Sequence, residues 1–358
     1  MKKIVKKTMG LTMAAIMGMS LAACSGGNTN ASTTAAPATE SKTAEAALAE
    51  TAAEAQGETV TLRLAHSQST EHLIHETALN FADAVAKKSN GAIKIDVYPA
   101  ETLGTSAEMA DACSNGDVDF YIAATGQYTQ RYKPFSIIEA FYMFRDTDHL
   151  FKFYESDSYK QLVEGLDETC GVTILAPVYY GARQMTTAKV PLNTPDDFAG
   201  LKMRAANEPM PIAAIEALGG TPTPVAYNET YLALQQGVAD GQENPPLSIL
   251  AMKFYEVQKY LNITDHQYQM MNIFMSDVVK GKLSEDQINL LYEAAKEVSD
   301  AHNEKALDAE QKAIEELGTH MEIVNTDKAA FAEKMKPMYE KFKSDWIEGM
   351  YEDIQAIQ

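Results

Sequence analysis

Cysteine is scarce in this chain of 358 residues, with only Cys24, Cys113 and Cys170 present. They form no CxxC pair and none has a neighbouring histidine, so the sequence gives no sign of a zinc ribbon or a dithiol redox centre. Positive charge is also in deficit. Thirty Lys and Arg stand against fifty Asp and Glu, a formal net charge of -20, which argues against nucleic acid and against adhesion to anionic lipid, since both need a basic surface. Beyond the first two dozen residues no apolar run reaches the length of a membrane span. There is no internal repeat, no glycine-rich phosphate loop, no nucleophile elbow and no zinc-binding helix, so a hydrolase reading finds no triad to rest on.

The beginning of the chain carries an address. Lys2, Lys3, Lys6 and Lys7 precede the apolar run from Met9 to Ala22, which is the layout of a signal peptide and too short for a membrane helix. Leu21-Ala22-Ala23-Cys24 resembles a lipobox. Residues 1–23 are therefore expected to be a lipoprotein signal peptide, with Cys24 diacylated. From Ser25 to Gly57 the only large aliphatic residue is Leu48, too little to offset the entropy of ordering. Residues 24–57 are expected to be the lipidated cysteine and a flexible tether, which would hold the protein at the outer face of the cytoplasmic membrane. Cys113 and Cys170 are expected to be free and part-buried.

The remaining 300 or so residues have the length of two domains. Val60, Leu62 and Leu64 alternate with polar residues, and Ile74, Ala78, Phe81 and Val85 then recur at helical spacing. Ile93, Ile95 and Val97 form a second strand. A helix from about Ser106 to Asn115 leads into an apolar run at Val118 to Ala123. This is the order of an open parallel α/β sheet. Val172 to Tyr179, Leu201 to Ala205 and helices over Pro209–Leu218 and about Glu229–Gln236 form a second set, which calls for its own sheet. From Leu283 to Leu317 no proline or glycine interrupts the helix formers, so a helix of about 50 Å is expected to span both parts. Ligands of open sheets bind at the carboxyl ends of strands, which directs attention to the residues just after Leu64, Ala123, Val178 and Met203.

Two of those places carry arginine, Arg183 and Arg204. A guanidinium at a strand end clamps a carboxylate through two parallel hydrogen bonds; position alone allows interdomain salt bridges equally well. Histidines 66, 72 and 75 offer hydroxyl contacts, helix capping, or a metal site from His72 and His75 one turn apart, though no nearby cysteine or placed carboxylate completes a shell.

The segments Gly200 to Arg204, Gly219 to Pro224 with Tyr227, Tyr231 to Gln235, Asp240-Gly241-Gln242-Glu243-Asn244-Pro245 and Tyr255 to Tyr260 stand in one order. With Tyr98-Pro99 to Leu103-Gly104 and Gly116 to Phe120, they resemble the solute-binding proteins of TRAP transporters, the DctP family, over Thr59 to Gln358. The resemblance implies an α/β, two-lobed periplasmic-binding-protein-like fold with a cleft between two open sheets and a long helix across both lobes. Lobe I would hold residues 58–180 and 270–309, and lobe II residues 181–269 and 310–358. It implies binding rather than catalysis, no cofactor, and delivery of a small organic acid to the TRAP permease membrane subunits. By matching position Arg204 would be the main partner of the ligand carboxylate, with Arg183 a second cation, Asn244 a hydrogen-bonding partner, Tyr227 a packing surface, and Glu243 part of the same motif. His66, Ser67 and Gln68 would meet the other end of the ligand.

The segment Ala65 to His75 looks like that of members binding uronates and related sugar acids. Ser106 and Ala124 stand where sialic-acid binders carry acidic contacts, while Gln242 and Pro245 depart from the usual sugar-acid motif. A C4-dicarboxylate or sialate ligand, or an ABC-type binding lipoprotein, are the competing readings.

Overall fold

The structure is a computed structural model that describes residues 59–358. The expected signal peptide, Cys24 and the tether lie outside the described residues. Nine strands occur among the described residues: β1 (Val60–His66), β2 (Ile93–Tyr98), β3 (Phe120–Ala124), β4 (Val172–Thr187), β5 (Lys202–Ala205), β6 (Thr221–Pro224), β7 (Gly241–Asn244), β8 (Tyr260–Ser276) and β9 (Glu322–Asn325). Their order is β2-β1-β3-β8-β4-β7-β5-β6, with β9 added to β8. One group has β1 parallel to both β2 and β3; the other has β5 parallel to both β6 and β7.

The two expected sheets are joined into one ladder because β4 and β8 belong to both. The Met271–Met275 end of β8 pairs with β3, and its Tyr260–Ile263 end pairs with β9. Across from it, β4 runs antiparallel to β8 along nearly its whole length and gives its Gln184–Thr187 end to β7. These two long strands cross from one lobe to the other.

β4 extends eight residues beyond the expected end at Tyr179. Gly181 holds a φ of +132° inside a bulge, one of three register shifts that bend β4 against β8. A bulge leaves backbone groups without ladder partners, and the helix Glu285–Leu317 supplies them. Asn303 accepts from the Tyr179 amide at 2.6 Å, His302 Nε2 donates to the Tyr179 carbonyl at 2.7 Å, and Glu310 accepts from the Ala182 amide at 2.6 Å.

That helix has 33 residues and a capping box at Ser284 and Gln287, so it is about 50 Å long. Leu291, Ala294 and Ala295 pack in one core with Leu62 and Leu64 of β1. Leu317, at the other end, packs with Leu234, Ile249 and Leu261 in a different core. One helix thus contributes to two separate cores. The other early elements fall where periodicity places them: helices cover Leu73–Lys88 and Ser106–Asn115. Cys113 and Cys170 are free and buried, and burial pushes the Cys113 thiol up to about 12.

Candidate ligand-binding cleft

A cavity of about 400 Å³ opens where the two groups of strands face each other. Its wall takes Ser67 and Gln68 from the end of β1, Ala124 and Gln127 from the end of β3, and Arg204 with Asn207 and Glu208 from the end of β5. Tyr227 follows β6, and Glu243 and Asn244 close β7. The parallel strands thus present their carboxyl ends to the cavity, as open α/β sheets do. Arg183 and Tyr180 of β4, and Gln267, Gln269 and Met271 of β8, line it from mid-strand. Arg183 therefore does not follow a strand, as expected, but lies inside one.

Arg183 and Arg204 are both buried and differ sharply in what they touch. The Arg183 Nε donates to Glu243, and one terminal nitrogen donates to the other Glu243 oxygen at 2.9 Å and to Asn244 Oδ1 at 3.1 Å. Its second terminal nitrogen donates to Gln269 at 2.9 Å. His266 Nε2 lies 3.2 Å from the same Glu243 carboxylate. Burial opposes the charge on Glu243, but Arg183 and the His266 hydrogen bond outweigh it and hold the carboxyl at about 2. Burial likewise works against the Arg183 charge, and Glu243 reverses the balance and raises it. The pair is electrically closed.

Arg204 makes one protein hydrogen bond among the described residues, from Nε to the Val225 carbonyl at 3.0 Å. Its neighbours in β5, Met203 and Ala205, are buried, which fixes the side chain towards the cavity. The guanidinium carbon stands 6.0 Å from the Tyr227 ring centroid. Burial first, and then the nearby Arg183 charge, lower its pKa. A buried guanidinium whose terminal nitrogens are not spent on protein acceptors is a seat for one carboxylate.

The rest of the lining is rich in acids and amides. Glu139 is 3% exposed and accepts from the Gly126 amide at 2.9 Å, Gln267 at 2.8 Å and Gln269 at 2.7 Å, with Thr125 as a further donor. Glu101 accepts from Ser106 Oγ at 2.6 Å and from the Asn228 amide at 3.2 Å. Glu208 accepts from Gln127 Nε2 at 2.6 Å. Sequence reasoning missed all three. Glu139 and Glu208 lie in no quoted motif, and Glu101 follows Tyr98-Pro99 without a signal to mark it. Ser106 and Ala124 do reach the cavity, so acidic groups enter it from other positions.

Seven of the eight residues singled out in sequence surround this one cavity: Arg204, Arg183, Asn244, Tyr227, Ser67, Gln68 and Glu243. Gln68 and Tyr227 meet across it, the tyrosine hydroxyl donating to Gln68 Oε1 at 2.9 Å. His66 is the correction. Strand alternation puts it on the face of β1 shared by Leu62 and Leu64, away from the cavity lining, where its Nε2 lies 3.1 Å from His75 Nδ1. Burial and the nearby His75 push its pKa down to about 3. His72 accepts from the Ile74 amide as a helix cap and lies 3.2 Å from the Ser248 hydroxyl. Ser248 in turn donates to Tyr180 at 2.7 Å, behind the cavity wall.

The profile of the bacterial extracellular solute-binding proteins of family 7, DctP, matches residues 64–345. The sialic acid-binding periplasmic protein SiaP of Vibrio cholerae is 32% identical over 286 residues, covering 80% of this chain and 89% of that protein. The C4-dicarboxylate-binding periplasmic protein DctP of Rhodobacter capsulatus is 30% identical, covering 80% and 87%. Among solved structures, a TRAP periplasmic solute binding protein from a Polaromonas species, bound to D-erythronate, superposes with a TM-score of 0.80 at 30% identity, covering 84% of this chain and 99% of that one. With its crossed strands, spanning helix and interlobe cavity, the chain belongs to the family 7, or DctP, extracellular solute-binding proteins of TRAP transporters.

Proposed function

We propose that the protein captures a hydroxylated monocarboxylate, a sugar acid such as a uronate, by its carboxylate and delivers it to the membrane subunits of a TRAP permease. The observation that carries the ligand class is a charge count. Among the described residues, the cavity lining contains two cations, Arg183 and Arg204, and no lysine or histidine. Arg183 is paired with Glu243, so one cation remains for the ligand, and a second carboxylate would be buried without a partner at a cost of several kcal/mol. Hydroxyls need only hydrogen bonds, which Ser67, Gln68, Gln127 and the carboxyls of Glu101, Glu139 and Glu208 offer. The relative holding D-erythronate, itself a hydroxylated monocarboxylate, supports this class.

Competition calorimetry at fixed salt tests it. D-galacturonate or D-gluconate should bind more tightly than succinate; the reverse order would overturn the ligand class and leave the transport role standing. Arg204 takes the ligand carboxylate, Asn244 adds a hydrogen bond, and Tyr227 with Gln68 closes over the ligand. The division into lobe I (58–180 and 270–309) and lobe II (181–269 and 310–358) belongs to the same reading, since the crossings of β4 and β8 supply the connections. So does anchoring through Cys24. No described helix is long and apolar enough to cross a membrane; a diacylated cysteine with a tether would keep the protein beside its permease. Cys24→Ser should move it from the membrane fraction to the soluble fraction, and an unchanged distribution would exclude the lipid.

A further inference from the structure

We propose that Glu208 is a specificity-determining contact of the cleft, its carboxyl donating a hydrogen bond to a ligand hydroxyl. The inference rests on the sugar-acid reading above. Its geometry begins at Gly126. The Gly126 amide donates to Glu139 at 2.9 Å, and a Cβ at Gly126 would strike the Glu208 carboxyl. The two carboxyls are thus brought to opposite sides of one glycine, from different lobes, at the edge of the same cavity.

Their partners divide them. Glu139 accepts from four donors. Glu208 accepts only from Gln127 among the described residues, at 2.6 Å, which leaves its second oxygen without a protein donor. Two carboxyls this close with unequal hydrogen bonding place the proton on the poorer one. Burial, then the Glu139 charge, push Glu208 up to about 8, against the pull of Arg183 and Arg204 and with the help of Glu243. The remaining acids nearby are Tyr121, whose hydroxyl is spent on the Ser106 carbonyl, and Glu101, held by Ser106 and Asn228.

A neutral Glu208 both accepts and donates a hydrogen bond, which suits the hydroxyl of a sugar acid. An anionic ligand in the cavity adds a further reason to keep the proton. Binding should therefore take up a proton near pH 8, and affinity should fall as pH rises beyond that value.

The probe is D-galacturonate, with D-gluconate beside it, measured by calorimetry from pH 6 to 9 in buffers of different ionisation enthalpy. Wild type should take up about half a proton at pH 8 and lose about tenfold in affinity between pH 7 and pH 9, the loss expected when only the form protonated at about 8 binds. Glu208→Gln should bind with no proton uptake and with less than twofold loss over that range. Wild-type binding without proton uptake would overturn the inference even if the variant fails to fold, as would a parallel loss in both proteins. If neither sugar acid binds at any pH, the ligand reading itself falls and this inference with it.

Discussion

Arg204 and Arg183 show how one residue type takes two roles a few ångströms of cavity wall apart. Arg183 has Glu243 and stays charged whether or not anything enters the cleft; among the described residues the Arg204 guanidinium has only the Val225 carbonyl. Arg204→Ala should therefore abolish carboxylate binding while the fold persists, at a cost of about 2–5 kcal/mol. Arg204→Lys should also bind poorly because an ammonium cannot reproduce the planar fork. Near-normal calorimetric affinity in the alanine variant would remove Arg204 from the site. Glu243 makes a different prediction. Its folded carboxyl sits at about 2, below the ordinary value of 4.5, so its stabilising contribution is full above about pH 4.5 and is lost as pH falls towards 2. Glu243→Gln strands the buried Arg183 charge and should cost about 3–5 kcal/mol at pH 7, read as a lower unfolding midpoint with a flatter acid limb. The arginines were legible in the sequence because motif order marks them. Glu139 and Glu208 were not, since a carboxylate becomes part of a site through the burial and partners that only the fold supplies. His66 was misplaced for a local reason: its position at a strand end was read, and the face on which alternation puts its side chain was not.

At the scale of elements, the helix Glu285–Leu317 was the most legible feature, because 33 residues uninterrupted by proline or glycine have one helical solution. β4 was cut short because glycine is ordinarily a strand's stop. Here Gly181 permits the bulge that bends the strand into the second lobe, and a Cβ there would lie 2.8 Å from Pro245 Cβ and 2.9 Å from Glu310 Oε1. Glu310 holds that bend, accepting from the Ala182 amide and from the Tyr179 hydroxyl at 2.9 Å. Burial raises its carboxyl to about 7. A folded pKa above the unfolded one means the native state keeps a proton that the unfolded chain releases, so stability falls as pH rises from about 4.5 to 7 and is level beyond. Glu310→Gln keeps an acceptor for Ala182 and removes the charge. It should flatten that slope and stabilise the protein by about 1–2 kcal/mol at pH 8, measured by denaturant unfolding across pH. A slope that survives the substitution would assign it to other groups. Gly181→Ala should destabilise at every pH, since neither the φ nor the space admits a side chain.

For the whole molecule, the two groups of strands are tied by β4, β8 and one long helix, an arrangement suited to hinge motion because the crossings are few and the cleft lies between them. Among the described residues, four contacts close the cleft without involving the Arg204 guanidinium: Tyr227 to Gln68 at 2.9 Å, the Asn228 amide to Glu101 at 3.2 Å, Gln127 to Glu208 at 2.6 Å, and Gln130 to the Asn207 carbonyl at 3.4 Å. Each joins a residue following β1, β2 or β3 to one following β5 or β6, so each exists only when the lobes meet. They and the ligand favour the same closed state, and a ligand shifts that equilibrium only by its differential affinity. Saturation with ligand should reduce the radius of gyration in small-angle scattering, and an unchanged radius with binding confirmed would mean the lobes are already closed. The closing contacts can be separated from the carboxylate seat. Glu101→Ala removes the acceptor for Asn228 and leaves Arg204, Arg183 and Asn244 in place. Apparent affinity scales with the fraction of molecules able to close, so this variant should bind several-fold more weakly, with a faster off-rate, and should show a larger radius before ligand is added. Weaker binding with an unchanged ligand-free radius would instead make Glu101 a direct contact of the ligand.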